Sequence, residues 1–206
     1  MDRKVKTGAW LLVLAAAVPV GVQAQDKVEA SVGADLVSGY IWRGQDLGNV
    51  SIQPSASISY RGFSLSGWGS VGFEKEDTKE FDLTFGYAHK GFSVSVTDYW
   101  FNSGPGYFHY GSTNTSHVFE VQVGYDFGLL ALNWYTNFAG NDGVNKDGDR
   151  AYSSYLEATA PFKLGGCDWE ASVGAVPFAT SFYGDANGFA VTHVAVKATK
   201  DLKITD

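Results

Sequence analysis

The chain has 206 residues and a formal net charge of −7 at pH 7. This acidic balance argues against nucleic acid as a partner. The lone Cys167 excludes a framework of internal disulfides, and one cysteine with four scattered histidines provides no zinc-site spacing. We therefore expect neither a metal nor another cofactor. A mature chain of about 180 residues suits one domain.

The first 24 residues have the pattern of a secretory signal peptide. Three basic residues within the first six positions precede an apolar run at 9–22, and Ala24 supplies the small residue that a cleavage site needs. A membrane-anchoring helix is the alternative, but the run is short and contains Pro19 and Gly21. Cleavage removes three basic residues and one acidic residue, which takes the net charge from −7 to −9. No later stretch is apolar enough for a spanning helix, so any membrane crossing must use β-strands.

The segment 50–60 alternates between apolar and polar side chains, which is the period of a β-strand. One face carries Val50, Ile52, Pro54, Ala56, Ile58 and Tyr60. The other face carries four serines and Gln53, and none of these side chains is charged. A polar face that meets bulk water usually carries Lys and Glu, whereas the polar lining of a narrow lumen does not need them.

Alternation of this kind recurs in ten segments along the chain, and an eleventh begins near Leu202. The ten segments are 28–42, 50–60, 63–73, 81–88, 92–101, 118–126, 129–138, 151–162, 168–178 and 189–199. Tight turns such as 61–62 alternate with longer polar loops such as 102–117 and 139–150. Only the connection 43–49 is short on the side of the long loops. Outer-membrane barrels have this arrangement, with the turns in the periplasm and the loops outside.

Alternation alone does not decide whether the apolar face meets lipid or fills the centre of a soluble barrel. Large aromatic residues lie near the predicted strand ends, and charges concentrate in the connections, above all at 74–80. Both features are typical of membrane barrels with aromatic girdles. We therefore predict an all-β fold: an antiparallel transmembrane β-barrel at residues 25–206 in the outer membrane of a Gram-negative cell. A secreted soluble barrel or sandwich is the alternative.

The predicted barrel has twelve strands, the last of which are missing from the chain. Bacterial barrels have even strand counts, and ten full strands are followed only by the start of an eleventh before Asp206. The alternative is a complete ten-stranded barrel followed by a short periplasmic tail.

Two residues conflict with the alternation. Pro54 lacks the N–H that a closed ladder needs, and Asp98 falls on the apolar face with Val96 and Trp100. We expect a β-bulge or a position near the membrane interface for each.

Several charged side chains fall on the predicted lumen face. The candidates for setting ion selectivity are Asp82, Glu120, Glu157, Glu170, His193 and Lys197, together with Arg43 at the rim. Carboxylates in a low-dielectric pore raise the local concentration of cations, so the functional interpretation is a channel that favours cations or neutral molecules. The structural alternative is that these groups pair with one another and fill a narrow interior.

Arg43 lies between Trp42 and Gly44 at the extracellular end of the first predicted strand. Its guanidinium could form part of a constriction, or bind an anionic solute or a lipopolysaccharide phosphate. It could instead anchor the first hairpin by pairing with a lumen carboxylate, and its position in a turn favours this structural role.

The run Ser-Gly-Tyr-Ile-Trp-Arg-Gly at 38–44, followed by Gln53 and by the turn Tyr-Arg-Gly-Phe at 60–63, resembles the opening of the TorF-type porins. The motif is confined to residues 38–63, whereas the strand rhythm extends over most of the mature chain. The resemblance implies a porin-like barrel of unassigned substrate.

The sequence favours an outer-membrane channel for passive diffusion of small solutes or ions, with membrane lipid around it. A structural or surface-binding barrel that does not conduct is the alternative. An enzyme is not expected, because His193 falls on the lumen face and no serine accompanies a membrane-facing histidine in a catalytic pattern.

Overall fold

The computed structural model describes residues 27–75, 77–111 and 114–200. These residues form strands and loops only, so the all-β prediction is confirmed for the described part of the chain. None of its segments is a helix long and apolar enough to cross a membrane. The predicted signal peptide and the predicted strand that begins near Leu202 lie outside the described residues.

Twelve strands follow one another within the described residues. They are β1 (Glu29–Val37), β2 (Tyr40–Trp42), β3 (Gln45–Gly48), β4 (Ser51–Tyr60), β5 (Phe63–Gly72), β6 (Lys79–His89), β7 (Phe92–Phe101), β8 (His117–Asp126), β9 (Ala131–Gly140), β10 (Ser154–Leu164), β11 (Cys167–Val176) and β12 (Ala190–Thr199).

Ten of these strands form a single antiparallel sheet in the order β1-β4-β5-β6-β7-β8-β9-β10-β11-β12, and β2 pairs with β3. Nine of the ten predicted alternating segments each coincide with one strand of the large sheet, and the first, 28–42, covers both β1 and β2. Among the described residues β1 and β12 do not pair with each other, so the sheet is not closed into a barrel.

One face of the sheet, here called the outer face, exposes large apolar side chains on every strand. They include Val32, Leu36, Ile52, Ile58, Phe63, Leu65, Phe81, Leu83, Phe85, Val96, Val123, Leu132, Trp134, Phe162, Val173, Val194 and Val196. The opposite face, here called the interior face, carries the serines, amides and carboxylates. The period of two in the sequence therefore separates the two faces as a pleated strand requires.

The sheet curves around the short hairpin β2-β3, with its interior face inward. Tyr40 of this hairpin contacts Trp68 of β5, with ring centroids 5.5 Å apart, and Trp42 contacts Tyr99 of β7 at 5.6 Å. The turn glycine, Gly44, lies against β12. A hairpin of nine residues touches strands from both halves of the sheet only because the sheet bends around it.

The prediction of one strand at 28–42 and a short connection at 43–49 was wrong. β1 ends at Val37, and the chain leaves the sheet to form β2 and β3 before β4 begins. The connection therefore spans 38–50 and is long, like the other connections at this end of the sheet. Alternation continues through β2, so the sequence pattern does not reveal where the chain leaves the sheet.

At Pro54 and Asp98 we expected a bulge or a position near the membrane interface, and the described strands have no bulge at either residue. Pro54 lies opposite Ala34 in a continuous register, and Asp98 lies opposite Leu83 and Phe119 without a shift. Pro54 is tolerated because the ladder between β4 and β5 is interrupted there rather than bulged. Asp98 lies on the outer face, three residues before the end of β7, where a loop covers it.

The interior face is filled at one end of the sheet and open at the other. At the end with the long connections, here called the loop end, Gln53 is 3% exposed, Glu80 5% and Asn137 is fully buried. At the opposite end, the turn end, Glu170 is exposed. The residues that fill the loop end therefore determine how much of the interior face solvent can reach from that end.

Candidate functional site

The hairpin β2-β3 lies within the loop end and carries Arg43 at its tip. Arg43 and Gly44 form the two-residue turn, and both have positive φ, 50° and 86°. Two positive φ angles are typical of the type I′ turn, whose twist matches that of the flanking strands. The turn directs the arginine side chain into the interior, where it is 8% exposed.

Arg43 forms a buried ion pair with Glu120 of β8. Nη2 donates to Glu120 Oε1 at 2.9 Å, and Nη1 donates to Oε2, so both carboxylate oxygens are used. The paired geometry suits a planar guanidinium and a carboxylate, and exclusion of water strengthens each hydrogen bond. The structure therefore contains the pairing with a lumen carboxylate that the sequence suggested as a structural role for Arg43.

Aromatic rings surround the same guanidinium. Its central carbon lies 4.0 Å from the ring centroid of Tyr135 and 4.8 Å from that of Tyr155, on β9 and β10. Trp42 lies at 4.5 Å and Tyr183, from the connection after β11, at 5.7 Å. Each ring presents negative charge density to the cation. We call Glu120, Tyr135, Tyr155 and Tyr183 the cage.

Glu120 is held in place by two phenols as well as by Arg43. Tyr99 donates to Oε1 at 2.9 Å, and Tyr183 donates to Oε2 at 3.3 Å while accepting from Arg43 Nη1 at 2.5 Å. Burial raises the pKa of Tyr183 well above its ordinary value, so this phenol stays protonated and remains a donor. The carboxylate is thus oriented by groups that do not belong to the hairpin.

Gly44 brings the hairpin into contact with the last strand of the sheet. A Cβ at this position would overlap the backbone carbonyl of Thr192 on β12, and the positive φ would be strained for any other residue. Glycine is therefore required by both close approach and backbone conformation. The hairpin reaches across the interior to β12.

Two long connections fold over the hairpin and are joined to each other. Ser153 and Thr180 share a hydrogen bond of 2.6 Å. The Val144 N–H donates to Ser181 Oγ at 2.9 Å, and the Ser181 N–H donates to the Val144 carbonyl, also at 2.9 Å. Phe182 packs edge-on against Trp42. The connections 141–153 and 177–189 therefore close the loop end from outside.

Asp77 attaches the other side of the hairpin to the connection between β5 and β6. Its Oδ1 accepts from the backbone N–H of Asn49 at 3.1 Å and its Oδ2 from that of Glu74 at 3.0 Å. These two backbone donors hold the pKa of the Asp77 carboxyl below its ordinary value. The N–H of Thr78 also donates to the Leu47 carbonyl at 3.1 Å.

The other predicted selectivity residues lie on the interior face but do not join the Arg43 site. Glu170 lies directly opposite Lys197 in the register of β11 and β12. His193 Nε2 lies 3.0 Å from Ser172 Oγ, so one nitrogen of this histidine is hydrogen-bonded to a neighbouring strand of the sheet. Asp82 on β6 and Glu157 on β10 line other parts of the interior. Only Arg43 and Glu120 of the seven candidates are brought into contact.

Sequence reasoning did not identify Tyr135, Tyr155, Tyr183 or Asp77 as parts of this site. No local pattern marks them, because their partners lie far away along the chain. The turn of the hairpin, in contrast, is recognisable in the sequence. Arg43-Gly44 is a basic residue followed by glycine, as are the turns Arg61-Gly62 and Lys90-Gly91, and both residues of all three turns have positive φ.

A second polar site lies on the outer face at the loop end. Asp98 Oδ1 is 2.7 Å from Nδ1 of the fully buried His117, whose Nε2 is 2.5 Å from the carbonyl oxygen of Tyr107. The ring of Tyr110 stacks on His117 at 4.2 Å. A catalytic histidine would direct its second nitrogen at a hydroxyl nucleophile, whereas this one faces a carbonyl. The arrangement attaches the connection 102–116 to the sheet and covers the Asp98 carboxylate.

No group of three or more metal-ligating side chains capable of holding an ion occurs in the described part of the chain. Comparison of the chain with family models, with curated proteins and with solved structures finds no match. The resemblance to the TorF-type porins therefore stays a prediction from the motif at 38–63 and the strand rhythm of the chain.

Removing one partner of the buried ion pair should release the hairpin. Arg43→Ala leaves the Glu120 carboxylate buried without its counter-charge, and we expect docking of the hairpin to weaken by about 3 kcal/mol. Proteinase K cleavage within 38–50 should accelerate by roughly a hundredfold. Arg61→Ala, at the turn end, is the matched control and should leave that cleavage rate nearly unchanged. Equal rates in the two variants would contradict the role given to the pair.

The attachment through Asp77 should depend on pH. Because its pKa is lowered in the fold, its contribution is complete above the ordinary pKa of an aspartate, about 4, and is lost as pH falls further through the folded-state value. Pepsin cleavage near Asn49 should therefore rise steeply in that acidic range. Asp77→Asn should be cut readily at the upper end of the range as well. Asp126→Asn, which alters a similar cap at the turn end, should behave like wild type.

Proposed function

We propose that this protein is an outer-membrane β-barrel with a porin-like passage for small solutes or ions, and that the hairpin β2-β3 narrows this passage at the extracellular end. The observation that carries the proposal is the division of the sheet into an apolar outer face and a polar interior face along all ten strands. The position of Arg43 and Glu120 adds the constriction.

The outer face is suited to lipid rather than to water. The largest exposed apolar patch of a typical soluble monomer covers about 300–600 Å². Here large apolar side chains are exposed on every strand of the sheet, and the sheet strands are nine to eleven residues long. A transmembrane strand needs about 9–11 residues to cross the hydrocarbon core. Both the composition and the length of the strands therefore support a membrane location.

Closure of the sheet is part of the proposal. An unpaired strand edge in lipid would leave N–H and C=O groups without partners, so a membrane sheet must close on itself. Two strands between β12 and β1 would give the twelve-stranded barrel predicted from the sequence. An even number of strands also keeps the antiparallel order at the junction.

The charges that remain inside the proposed passage favour cations weakly. Arg43 and Glu120 neutralise each other, so Glu120 no longer contributes to the field as the sequence alone suggested. Glu157 and Glu170 remain, opposed by Lys197. Asp82 is hydrogen-bonded to Glu80, and two carboxyls can share a hydrogen bond only if one of them carries a proton. A small excess of carboxylates in a low-dielectric passage attracts cations.

A structural or surface-binding barrel is the second candidate, and the filled loop end favours it. The buried cluster of Tyr155, Val176 and Tyr183 packs with Trp42 of the hairpin in the interior. Such packing would block diffusion if the hairpin never moved. The two candidates differ in whether release of the hairpin allows ions to pass.

Membrane residence is tested by cell fractionation. The mature protein should be recovered with the outer membrane and should migrate differently on a gel before and after heating, as folded membrane barrels do. The apolar outer face gives the physical reason, since it has no cover in water. Recovery as a soluble periplasmic species without a heat-modifiable band would contradict the proposal.

Conductance is tested in planar bilayers. Wild-type protein should give discrete steps, and Arg43→Ala should give larger or more frequent ones, because the hairpin no longer occupies the loop end. Under a KCl gradient the pair Glu157→Gln and Glu170→Gln should reduce the cation preference, most clearly in dilute salt. Asp168→Asn, which alters an exposed carboxylate at the turn end, serves as the control. Silence of folded wild type and of folded Arg43→Ala would favour the structural barrel instead.

A further inference from the structure

The cage around Arg43 has the composition of a receptor for an organic cation. Glu120 supplies a carboxylate, and three tyrosine rings approach the guanidinium carbon from other parts of the wall, at 4.0, 4.8 and 5.7 Å. Exclusion of water strengthens the attraction between a cation and an aromatic ring. The combination of a carboxylate with several ring faces selects flat or alkylated cations over small metal ions, which prefer several oxygen ligands.

The cage is organised independently of the hairpin that fills it. Tyr99 and Tyr183 donate to the two oxygens of Glu120, and Tyr135 and Tyr155 are fixed on neighbouring strands of the sheet. Removal of the Arg43 side chain therefore leaves an oriented carboxylate beside three rings. Only Trp42, among the rings near the guanidinium, belongs to the hairpin. A preorganised site of this kind binds without the cost of assembling itself.

We infer that the cage is a binding site for free guanidinium or alkylammonium solutes, and that Arg43 is a tethered occupant of this site. A tethered ligand has an effective concentration of millimolar or more, so a free cation competes only at high concentration in the wild type. When a free cation replaces the Arg43 side chain, the hairpin loses its ion pair and the contacts of the guanidinium with the cage rings together. Such a solute would thus open the loop end. This opening rests on the proposed function, whereas binding of the solute to the cage does not depend on that function.

Binding is measured with methylguanidinium on the mature protein folded in detergent micelles. Arg43→Ala should bind it saturably with a Kd on the order of 1 mM, by calorimetry or by ligand-observed NMR. Wild type should bind roughly tenfold or more weakly because its cage is occupied. Arg43→Ala combined with Glu120→Gln should lose roughly tenfold or more in affinity, since the carboxylate is gone. Urea, which has a similar planar shape but no charge, should not bind.

The binding of methylguanidinium is also measured on Arg43→Gln, whose side chain has no charge but can still form hydrogen bonds in the cage. If neither variant folds alone, each is refolded with methylguanidinium or with urea at equal concentration, and recovery of the heat-modifiable band is scored. Rescue by methylguanidinium but not by urea supports the site. Folded variants that show no saturable binding, or refolding that neither compound rescues, would overturn it.

Conductance distinguishes this inference from the proposed function. Saturable binding to Arg43→Ala with no current in bilayers would keep the cation site and reject the channel. Current through Arg43→Ala without binding of methylguanidinium would keep the channel and reject the cation site. Arg61→Ala, which removes an arginine at the turn end, should bind no more methylguanidinium than wild type does.

Discussion

A guanidinium stays charged at every pH that a protein meets, so burying one requires an opposite charge and hydrogen-bond acceptors nearby. Arg43 is buried at the tip of the hairpin β2-β3, and the loop end of the molecule is arranged to satisfy it. Glu120 accepts from both terminal nitrogens, and Tyr183 accepts a further hydrogen bond. Because the hairpin carries only one such group, the ion pair fixes its depth and orientation in the interior.

The rest of the interior is also stabilised mainly by polar contacts. Among the residues that the structure describes, the buried apolar cluster contains only Tyr155, Val176 and Tyr183, whereas serines, amides and carboxylates occupy most of the interior face. In water, this small core would have to support ten strands while a large apolar surface remained exposed. In an apolar environment the outer face no longer meets water, so its exposed apolar side chains no longer destabilise the fold. The fold and the proposed membrane location thus depend on the same division of side chains.

Local periodicity was sufficient to predict the ten strands of the sheet, because each strand repeats apolar and polar residues over 9–11 positions. It was insufficient for the hairpin, whose alternation is continuous with that of β1. The partners of Arg43 lie 77 and 140 residues away, and no local pattern encodes such distances. Asp98 shows the same limit. Its conflict with the pattern predicted a bulge or a position near the membrane interface. The register is unshifted, and Asp98 lies near the end of β7, where its carboxylate pairs with His117.

The reach of Gly44 to β12 has a consequence for the order of folding. The contact joins residues 44 and 192, so it closes a loop of nearly the whole described chain. Contacts this distant in sequence form late, after the intervening hairpins have paired with their neighbours. The hairpin β2-β3 is synthesised near the start of the chain, but its docking is complete only when β12 is in place. Complete docking would thus report that the sheet has formed as far as β12, and a chain in which β12 fails to pair would lack the contact between Gly44 and Thr192.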